Sequence, residues 1–413
     1  MHIRLPIALA LLLPGCATPP EPKPAAAVEV VAQVVLDPQG YEVDPAGTWY
    51  DGDLHVHATG ASNDAGKEST PETIATIARS RGLHFLVLTD HSNSTGSDTS
   101  TLKEDPALFN KGPEFPYWEL VAQLSVPGQF LMIDGNEISP VSVGEKEPRG
   151  HIGCIPSNLD TFDRSGSFVD RPRGEVTGGQ VLAQAKKRGC FAVVNHPYAP
   201  ASWIRYDWTG MDYDALEVWN GAIGLDVFDH NGISAWRCDL LAGRKVTAVG
   251  GSDIHRIHNP SPPETIDSDA PLAWPTTSVR AQNLTWPDLM AGLRAGDVMI
   301  RGGESRLSLD AYDGNKHRAT GKAIRWLRLR GQLDARSTPG TLRLLRATAC
   351  DDRRPTQAPK ITDAVLLEVA VQPGGKFDSF AQISGEAGVY TAQLLPDDDP
   401  WYPALSPAVV IAP

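Results

Sequence analysis

Cysteine and long apolar runs are both scarce in this sequence. Only five of the 413 residues are cysteine, and their wide spacing matches no zinc-binding pattern. The apolar run from Leu5 to Leu13 is too short to cross a bilayer, which takes roughly 20 apolar residues. Acidic residues outnumber basic ones, 50 to 37, for a formal net charge of −13. That balance argues against coating of nucleic acid, so we predict no nucleic-acid partner.

Two common catalytic motifs are also absent. The sequence has neither the GxSxG turn of serine esterases nor a phosphate-binding P-loop. Serine-esterase and nucleoside-triphosphatase activities therefore lose their main sequence support. The remaining composition is that of a globular protein, 41% hydrophobic and 21% charged, and the length predicts two folded units plus a tail.

The first 16 residues resemble a bacterial lipoprotein signal peptide. One arginine precedes the short apolar run, and the ending Leu13-Pro14-Gly15-Cys16 resembles a lipobox. Cys16 is therefore predicted to carry a lipid and to anchor an exported protein to the bacterial cell envelope, at the periplasmic face or the cell surface. The alternative is an ordinary signal peptide cleaved near Ala17. Residues 17–45, rich in proline and alanine, predict an extended linker.

Four further cysteines lie in the rest of the chain: Cys154, Cys190, Cys238 and Cys350. An exported chain could oxidise them to disulfides. Their spacing fixes no pairing, and unpaired buried cysteines are an equally open interpretation.

Residues 46–303 alternate short apolar runs with amphipathic segments. Strands are predicted within 83–91, 129–139, 150–156, 190–197, 214–221 and 245–255, several of them continuously hydrophobic like buried parallel strands. Helices are predicted from Thr70-Pro71 onward, over 180–189 and over 288–296, each ending at a glycine. Such alternation predicts an α/β domain with parallel strands, and six or seven strand–helix units favour a barrel.

The hydrophobic pattern changes after Gly303. Segments such as 306–312 and 341–349 alternate polar and apolar residues between turns. This alternation is typical of antiparallel strands with one face in water. Residues 304–413 are therefore predicted to form a small antiparallel β-sandwich.

Six of the eleven histidines lie at or near the ends of predicted strands, together with carboxylates. They are His55, His57, His91, His151, His196 and His255, beside Asp53, Asp90, Glu137 and Asp253. In an α/β barrel the strand ends meet at one rim, so residues distant in sequence can share a pocket. Histidine nitrogen and carboxylate oxygen together suit zinc, iron or manganese. Each motif alone also fits a packing or turn role, but the set predicts a multinuclear metal site.

The order of these motifs resembles the PHP (polymerase and histidinol phosphatase) superfamily. The matching segments are HVH at 55–57, TDH at 89–91, GNE at 135–137, His151, NHP at 195–197 and GSDIH at 251–255. EVWNG at 217–221, PTTSV at 275–279 and LRAGDVMIRGG at 293–303 are most similar to its carbaryl-hydrolase-related branch. The resemblance covers about residues 50–303 and implies a distorted (βα)7 barrel with two or three divalent ions.

The resemblance also implies a ligand set for each ion. The sets are His55, His57, Glu137 and Asp253 for the first; Glu137 as a bridge with His151 and His196 for the second; and His91 with His255 for the third. Asp64 is favoured to complete the third set, with Asn63 as the alternative. Asp90 is predicted to support catalysis from behind the ligands.

The predicted reaction is hydrolysis of an ester bond in a small, anionic substrate. A metal-bridging hydroxide would attack a phosphorus or carbonyl centre, and the ions would stabilise the charge that develops. Arg256 and Asn220 are candidates for binding the substrate, with surface or structural roles as the alternative. A phosphoesterase is favoured. The alternatives are a carboxylic-ester or carbamate hydrolase and a non-catalytic metal- or ligand-binding lipoprotein, and the lipid anchor is the only membrane contact predicted.

Overall fold

A computed structural model describes most of the chain after the proline- and alanine-rich segment. The described residues are 37–43, 47–108, 111–138, 150–168, 178–199, 208, 210–221, 224–257, 271–351, 357, 359–398 and 401–413. Cys16 and the predicted signal peptide lie outside them. Within this part of the chain, no helix has the length and apolar character needed to cross a membrane.

The described chain is mixed α/β, with twenty strands and few helices. The strands are β1 Thr48–Val56, β2 Phe85–Leu88, β3 Ser97–Asp98, β4 Lys103–Glu104, β5 Leu131–Asp134, β6 Asn136–Ile138, β7 His151–Pro156, β8 Cys190–Asn195, β9 Ala215–Asn220, β10 Thr247–Gly251, β11 Thr276–Ala281, β12 Val298–Arg301, β13 Arg306–Tyr312, β14 Trp326–Gln332, β15 Gly340–Cys350, β16 Ile361–Val371, β17 Lys376–Gln382, β18 Gly388–Pro396, β19 Ala404–Leu405 and β20 Val409–Ile411. The α-helices are α1 Pro71–Ser80, α2 Trp118–Leu124, α3 Gly178–Arg188, α4 Val227–Leu241 and α5 Trp286–Ala295. Short 3-10 helices cover Ser92–Thr95, Pro106–Leu108 and Gly321–Ala323.

The helix boundaries follow local sequence signals. Thr70 caps α1 by accepting a hydrogen bond from the backbone N–H of Thr73 at 3.2 Å, and proline occupies the first helical position. Helix α5 is capped at Thr285 and ends at Gly296, whose φ of 75° is readily adopted by glycine. The three helices predicted from sequence are therefore present.

Two sheets carry the residues that were predicted to bind metal. The larger, ten-stranded sheet has the order β16-β15-β18-β19-β12-β11-β1-β2-β5, with β20 paired to β18. The smaller sheet has the order β10-β9-β8-β7-β6. Apolar side chains such as Leu54, Phe85, Ile133, Val193 and Val218 form a common core. The chain passes from β5 to β6 through Gly135 alone, and a bridge between Val56 and Ile254 connects the ends of β1 and β10.

The predicted (βα)7 barrel is not confirmed, because these strands form open sheets rather than one closed sheet. Strands β1, β2 and β5 are parallel, as are β8, β9 and β10. By contrast, β6–β7–β8 and β1–β11–β12 pair antiparallel. Continuous apolar runs report burial of both strand faces and not strand direction, so the sequence pattern did not distinguish these arrangements.

The C-terminal strands form two layers around their own apolar core. Strands β13, β14 and β17 make a three-stranded antiparallel sheet. Leu307 and Leu327 from this sheet belong to one buried cluster with Leu342 and Leu394 of the large sheet. The large sheet also crosses the predicted boundary at residue 303, since β12 pairs with β19. The division into domains at that position stays a prediction.

All four described cysteines are paired. Cys154 and Cys190 join β7 to β8, and Cys238 and Cys350 join α4 to the end of β15 across 112 residues. The sequence had left both the pairing and the oxidation state open.

Candidate metal centre

Strand β1 and the segment after β10 bring the first ligands together. His55 and His57 are two residues apart, so their side chains share one face of the extended chain. The backbone N–H of His57 donates to the carbonyl of Ile254 at 3.0 Å, and that of Asp253 donates to the carbonyl of His55 at 2.9 Å. These bonds place Asp253 beside both histidines: its Oδ1 lies 3.1 Å from Nε2 of each.

The carboxylate of Glu137 lies at the centre of the histidine cluster. Its two oxygens face five imidazole rings, with Oε1 at 3.1 Å from His55 Nε2, 2.8 Å from His151 Nδ1 and 3.0 Å from His196 Nε2, and Oε2 at 3.5 Å from His57 Nε2 and 3.6 Å from His91 Nδ1. Glu137 is only 1% exposed, and Asn195 donates to its Oε1 at 3.0 Å. One buried carboxylate therefore has the contacts that a bridging ligand needs.

The outer part of the cluster contains Asp64, His91 and His255. Asp64 Oδ2 is 3.2 Å from His255 Nε2 and 3.8 Å from His91 Nε2, and its side chain is half exposed. The rings of His57 and His255 stack with centroids 4.1 Å apart. Asn63, the alternative to Asp64, also lines the cavity, which measures about 430 Å³.

The donor atoms fall into four groups that could each hold a metal ion. The groups are His57, Asp64, His91 and His255; His55, His57, Glu137 and Asp253; His55, His196 and Glu217; and His91, Glu137 and His151. All nine residues predicted as ligands occur among them, although they are far apart in sequence. Their individual assignment to ions stays a prediction.

The electrostatics around Glu137, His57 and His151 favour protonation states suited to binding cations. Burial would raise the pKa of Glu137, but His151 and His55 outweigh it and hold that pKa well below its usual range. Burial lowers the pKa of His57 to about 4 and that of His151 to about 3. Ionised carboxylates and neutral imidazoles are the forms that bind metal.

Three imidazoles have the opposite shift. Burial would lower the pKa values of His55 and His196, but neighbouring carboxylates, chiefly Asp253 and Glu137, raise them. His255 behaves in the same way. Burial would lower its pKa, but the hydrogen bond with Asp64 and the charge of Asp253 raise it to about 9. Hydrogen bonds with His255 and His91 keep the pKa of Asp64 well below its usual range, against the effect of burial. Asp64 and His255 therefore form an ion pair that balances their charges in the outer part of the cluster.

Backbone strain is found at two of the predicted ligands. His196 has φ of 29° and Asp253 has φ of 51°, in the left-handed region that residues other than glycine rarely occupy. Such conformations cost about 1–3 kcal/mol each and persist where surrounding contacts impose them. Both residues follow buried strands, β8 and β10, so the strain redirects their side chains into the cluster.

Glu217 on β9 is a site residue that the sequence analysis missed. Its Oε1 accepts from His55 Nδ1 at 2.9 Å, and its Oε2 accepts from the backbone N–H of His196 at 2.9 Å. Gly251 makes room for this contact, because a Cβ there would lie 2.6 Å from Oε1 and 2.4 Å from His55 Cβ. The available signal was a carboxylate inside an otherwise apolar predicted strand, which requires a buried partner.

Asp90 contacts the cluster through a serine. Its Oδ1 accepts from Ser62 Oγ at 2.8 Å and from the backbone of Ala58 at 2.6 Å, and burial raises its pKa to about 7. Because Ser62 donates to Asp90, its oxygen is left to accept from His57 Nδ1 at 2.9 Å. Asp90 therefore lies behind the cluster, and its predicted part in catalysis would be indirect.

The two residues predicted to bind substrate occupy different environments. Asn220 lines the cavity, but its amide donates to Glu217 Oε2 at 3.0 Å and to Asp253 Oδ2 at 3.2 Å. These bonds hold the two carboxylates in place. Arg256 is exposed and is not among the described residues that line the cavity. Their roles in substrate binding stay predictions.

Comparisons with known proteins give a distant likeness. No family model matches the sequence, and no curated protein matches it. Among solved structures, the chain is similar to Endonuclease Q complexed with a 27-mer duplex substrate with an abasic lesion at the active site, at 17% identity and a TM-score of 0.38. The match covers 60% of this chain and 57% of that one, so the chain spans little more than half the length of Endonuclease Q.

The prediction that nucleic acid is not a partner is contradicted by this comparison, since the matched structure holds a duplex substrate. The prediction rested on a formal net charge of −13, which sums over the entire chain. Net charge bears on coating by a basic face and not on what a local cationic centre binds.

Proposed function

We propose that the chain is a metal-dependent hydrolase of the PHP type and that a phosphoester is its substrate. The observation that carries the proposal is the buried carboxylate of Glu137, with five imidazole rings within 3.6 Å of its oxygens. A carboxylate that bridges two ions needs the other ligands of those ions around both of its oxygens, and the imidazole rings are placed in that way.

The residues present fit a group of divalent ions. His55 Nε2 is buried and makes no aligned hydrogen bond to the described residues, while Glu217 accepts from the opposite ring nitrogen. An ionised carboxylate only accepts, so Nδ1 of His55 carries a proton and Nε2 is the ring nitrogen left to bind a metal ion. Nε2 lies 3.1 Å from an oxygen of Glu137 and 3.1 Å from an oxygen of Asp253, which would be ligands of the same ion. A donor set of histidine and carboxylate without thiolate suits zinc, manganese or iron.

Each group of side chains would have its own part in the reaction. Divalent ions held there would lower the pKa of a water molecule and stabilise charge on the substrate oxygens. His55, His57, Glu137 and Asp253 would hold one ion, His151 and His196 would share Glu137 with a second, and His91, His255 and Asp64 would hold a third. Glu217 and Ser62 fix the tautomers of His55 and His57.

A carboxylic ester or carbamate is the second candidate substrate. The described lining of the cavity contains no lysine or arginine; it consists of Asn63, Asp64, His91, Glu137, His151, His196, Ala199, Asn220, Asp253 and His255. In this described lining, bound ions and protonated imidazoles would be the cationic groups that a phosphate dianion meets, whereas a neutral ester needs no cationic side chain. A carboxylic ester or carbamate is therefore a candidate substrate beside the phosphoester.

Export and a lipid anchor at Cys16 belong to the proposal as well. The pairs Cys154–Cys190 and Cys238–Cys350 support export, since stable disulfides form mainly in oxidising compartments. Labelling with a lipid precursor in a bacterial host should mark the full chain and should not mark Cys16→Ser.

The test of the function is a paired hydrolysis assay. Protein loaded with manganese, zinc or iron is given a phosphomonoester, a phosphodiester and a carboxylic ester that share one chromogenic leaving group. We expect phosphoester hydrolysis that chelation removes and that His196→Ala lowers on the order of 100-fold or more. His230→Ala, an exposed histidine on α4, is the matched control and should keep full activity. Hydrolysis that survives both chelation and His196→Ala would contradict the proposal.

A further inference from the structure

A second cavity lies toward the other end of β1 from the metal centre. It measures about 390 Å³, and none of its lining residues also lines the metal cavity. Asp51 lines the second cavity, and His55 follows it by four residues along the same strand, a distance of about 13 Å. The cavity therefore is a separate site within the same compact unit.

Arginine is the main charged residue of this lining. Four arginines, Arg81, Arg301, Arg306 and Arg336, line the cavity, against two carboxylates, Asp51 and Glu304. Arg336 is neutralised by Asp334, whose Oδ2 lies 2.7 Å from its Nη2. The remaining three guanidinium groups exceed the two lining carboxylates by one positive charge.

Arg81 is the arginine with the least compensation. It follows α1, is partly buried, and donates through Nη1 to the backbone carbonyl of Leu272 at 2.7 Å. It forms no ion pair with a carboxylate in the described part of the chain. A partly buried guanidinium with a single neutral acceptor retains most of its capacity to bind an anion.

Arg301 and Arg306 share one carboxylate. The Nη2 atoms of both lie close to Asp51 Oδ2, at 2.7 Å and 2.9 Å respectively, and Arg306 Nη2 also lies 3.6 Å from Glu304 Oε2. Arg306 Nη1 is buried and has no acceptor among the described residues. A buried donor without an acceptor is costly, which points to a partner that the protein itself does not supply.

We propose that this cavity binds a small oxyanion of the phosphate or carboxylate type, held chiefly by Arg81 and Arg306. Guanidinium groups present forked N–H donors that match the oxygens of phosphate and carboxylate. The volume is several times that of an inorganic phosphate, so the anion can belong to a larger molecule. This site is independent of the hydrolase reaction.

The experiment counts bound anions on the metal-loaded full chain by equilibrium dialysis at constant ionic strength. Radiolabelled inorganic phosphate and succinate are the two probes, and they distinguish phosphate from carboxylate. We expect saturable binding of at least one probe, weakened about ten-fold by Arg81→Gln and by Arg306→Gln. Arg306→Lys, which keeps the charge and loses the fork, should weaken binding to an intermediate degree.

Controls separate this site from the metal centre. His196→Ala, which alters the metal centre, should leave the arginine-dependent binding unchanged. Arg343→Gln should also leave it unchanged, because Arg343 pairs with Glu368 on the exposed face of β15. The thermal midpoint of each variant shows whether it has folded. Absence of saturable binding of either probe, or binding that persists in both folded arginine-to-glutamine variants, overturns the proposal.

Discussion

Glu217 Oε1 lies 2.9 Å from Nδ1 of His55, and both side chains are at most 3% exposed. This contact determines which ring nitrogen of His55 faces Glu137 and Asp253. A carboxylate behind a metal-binding histidine raises its basicity and fixes its orientation, and removing such a partner typically weakens metal binding about 10- to 100-fold. Glu217 would therefore position His55 in the candidate metal centre.

Glu217→Gln should weaken metal binding without unfolding the chain. Glutamine has the shape of glutamate but lacks its charge, so His55 would be held less firmly. We expect the dissociation constant for the tightest ion, measured by competition with a chelator, to rise at least about 10-fold. Glu368→Gln, an exposed carboxylate on β16 that pairs with Arg343, is the control. An unchanged dissociation constant in folded Glu217→Gln would count against this role.

Gly251→Ala should disturb both stability and metal content. The added Cβ would lie 2.4 Å from the Cβ of His55 and 2.6 Å from Glu217 Oε1, closer than real side chains approach. Overpacking of this kind costs about 1–3 kcal/mol of folding free energy. We expect a lower thermal midpoint and fewer ions per chain by metal analysis. Gly314→Ala is the control, because nothing lies within 4 Å of a Cβ there. If both substitutions changed the thermal midpoint and the number of bound ions equally, the steric argument would be refuted.

Most of the residues predicted as ligands were accessible to sequence reasoning because they lie at or near the end of a recognisable apolar run, whereas Asp64 was predicted only from the family resemblance. His91 follows β2, His196 follows β8 and Asp253 follows β10, so strand ends alone indicated their convergence. Glu217 was missed because it lies inside β9, where an apolar pattern hides one carboxylate. Its contact with His55 spans 162 residues and depends on the register between β9 and β10, which local sequence does not encode.

Strand direction and sheet closure could not be predicted either. The segment 150–156 was correctly predicted as a strand, yet β7 pairs antiparallel with both β6 and β8. Likewise β19 has only two residues, Ala404 and Leu405, and joins the two halves of the large sheet by pairing with β12 and β18. Such short elements lack a periodic pattern, and their pairing is determined by tertiary contacts.

Asp310 should make the stability of the chain depend on acidic pH. Its buried carboxylate lies 2.7 Å from Arg280 and 2.9 Å from both Arg318 and Arg330. Burial would raise its pKa, but Arg280 and Arg318 outweigh burial and hold the pKa well below its usual range. A lowered folded pKa contributes stability that is present above the unfolded pKa of about 3.9 and lost as pH falls through the folded value.

Asp310→Asn is expected to remove this contribution. Breaking a buried ion pair costs about 3–5 kcal/mol near neutral pH, since the arginines lose their counter-charge. In urea unfolding, the difference from the native chain should be largest at neutral pH and should narrow as pH falls below the unfolded pKa of aspartate. Asp212→Asn, which removes a pair between an 86% exposed carboxylate and Lys186, should change little. A difference that stays constant across this range would exclude a titrating Asp310.

The disulfide between Cys238 and Cys350 should stabilise the junction between α4 and the C-terminal strands. It closes a loop spanning 112 residues, and a cross-link of that length contributes up to about 4–5 kcal/mol by restricting the unfolded chain. We expect Cys238→Ser with Cys350→Ser to lower the free energy of unfolding by about 2–5 kcal/mol, and reductant, which opens both disulfides, to lower that of the native chain by at least as much. The pair Cys154 and Cys190, only 36 residues apart, should give a smaller loss when replaced in the same way. Because the chain-entropy argument depends on loop length, an equal or reversed order of the two losses would show that native contacts, and not loop closure, dominate.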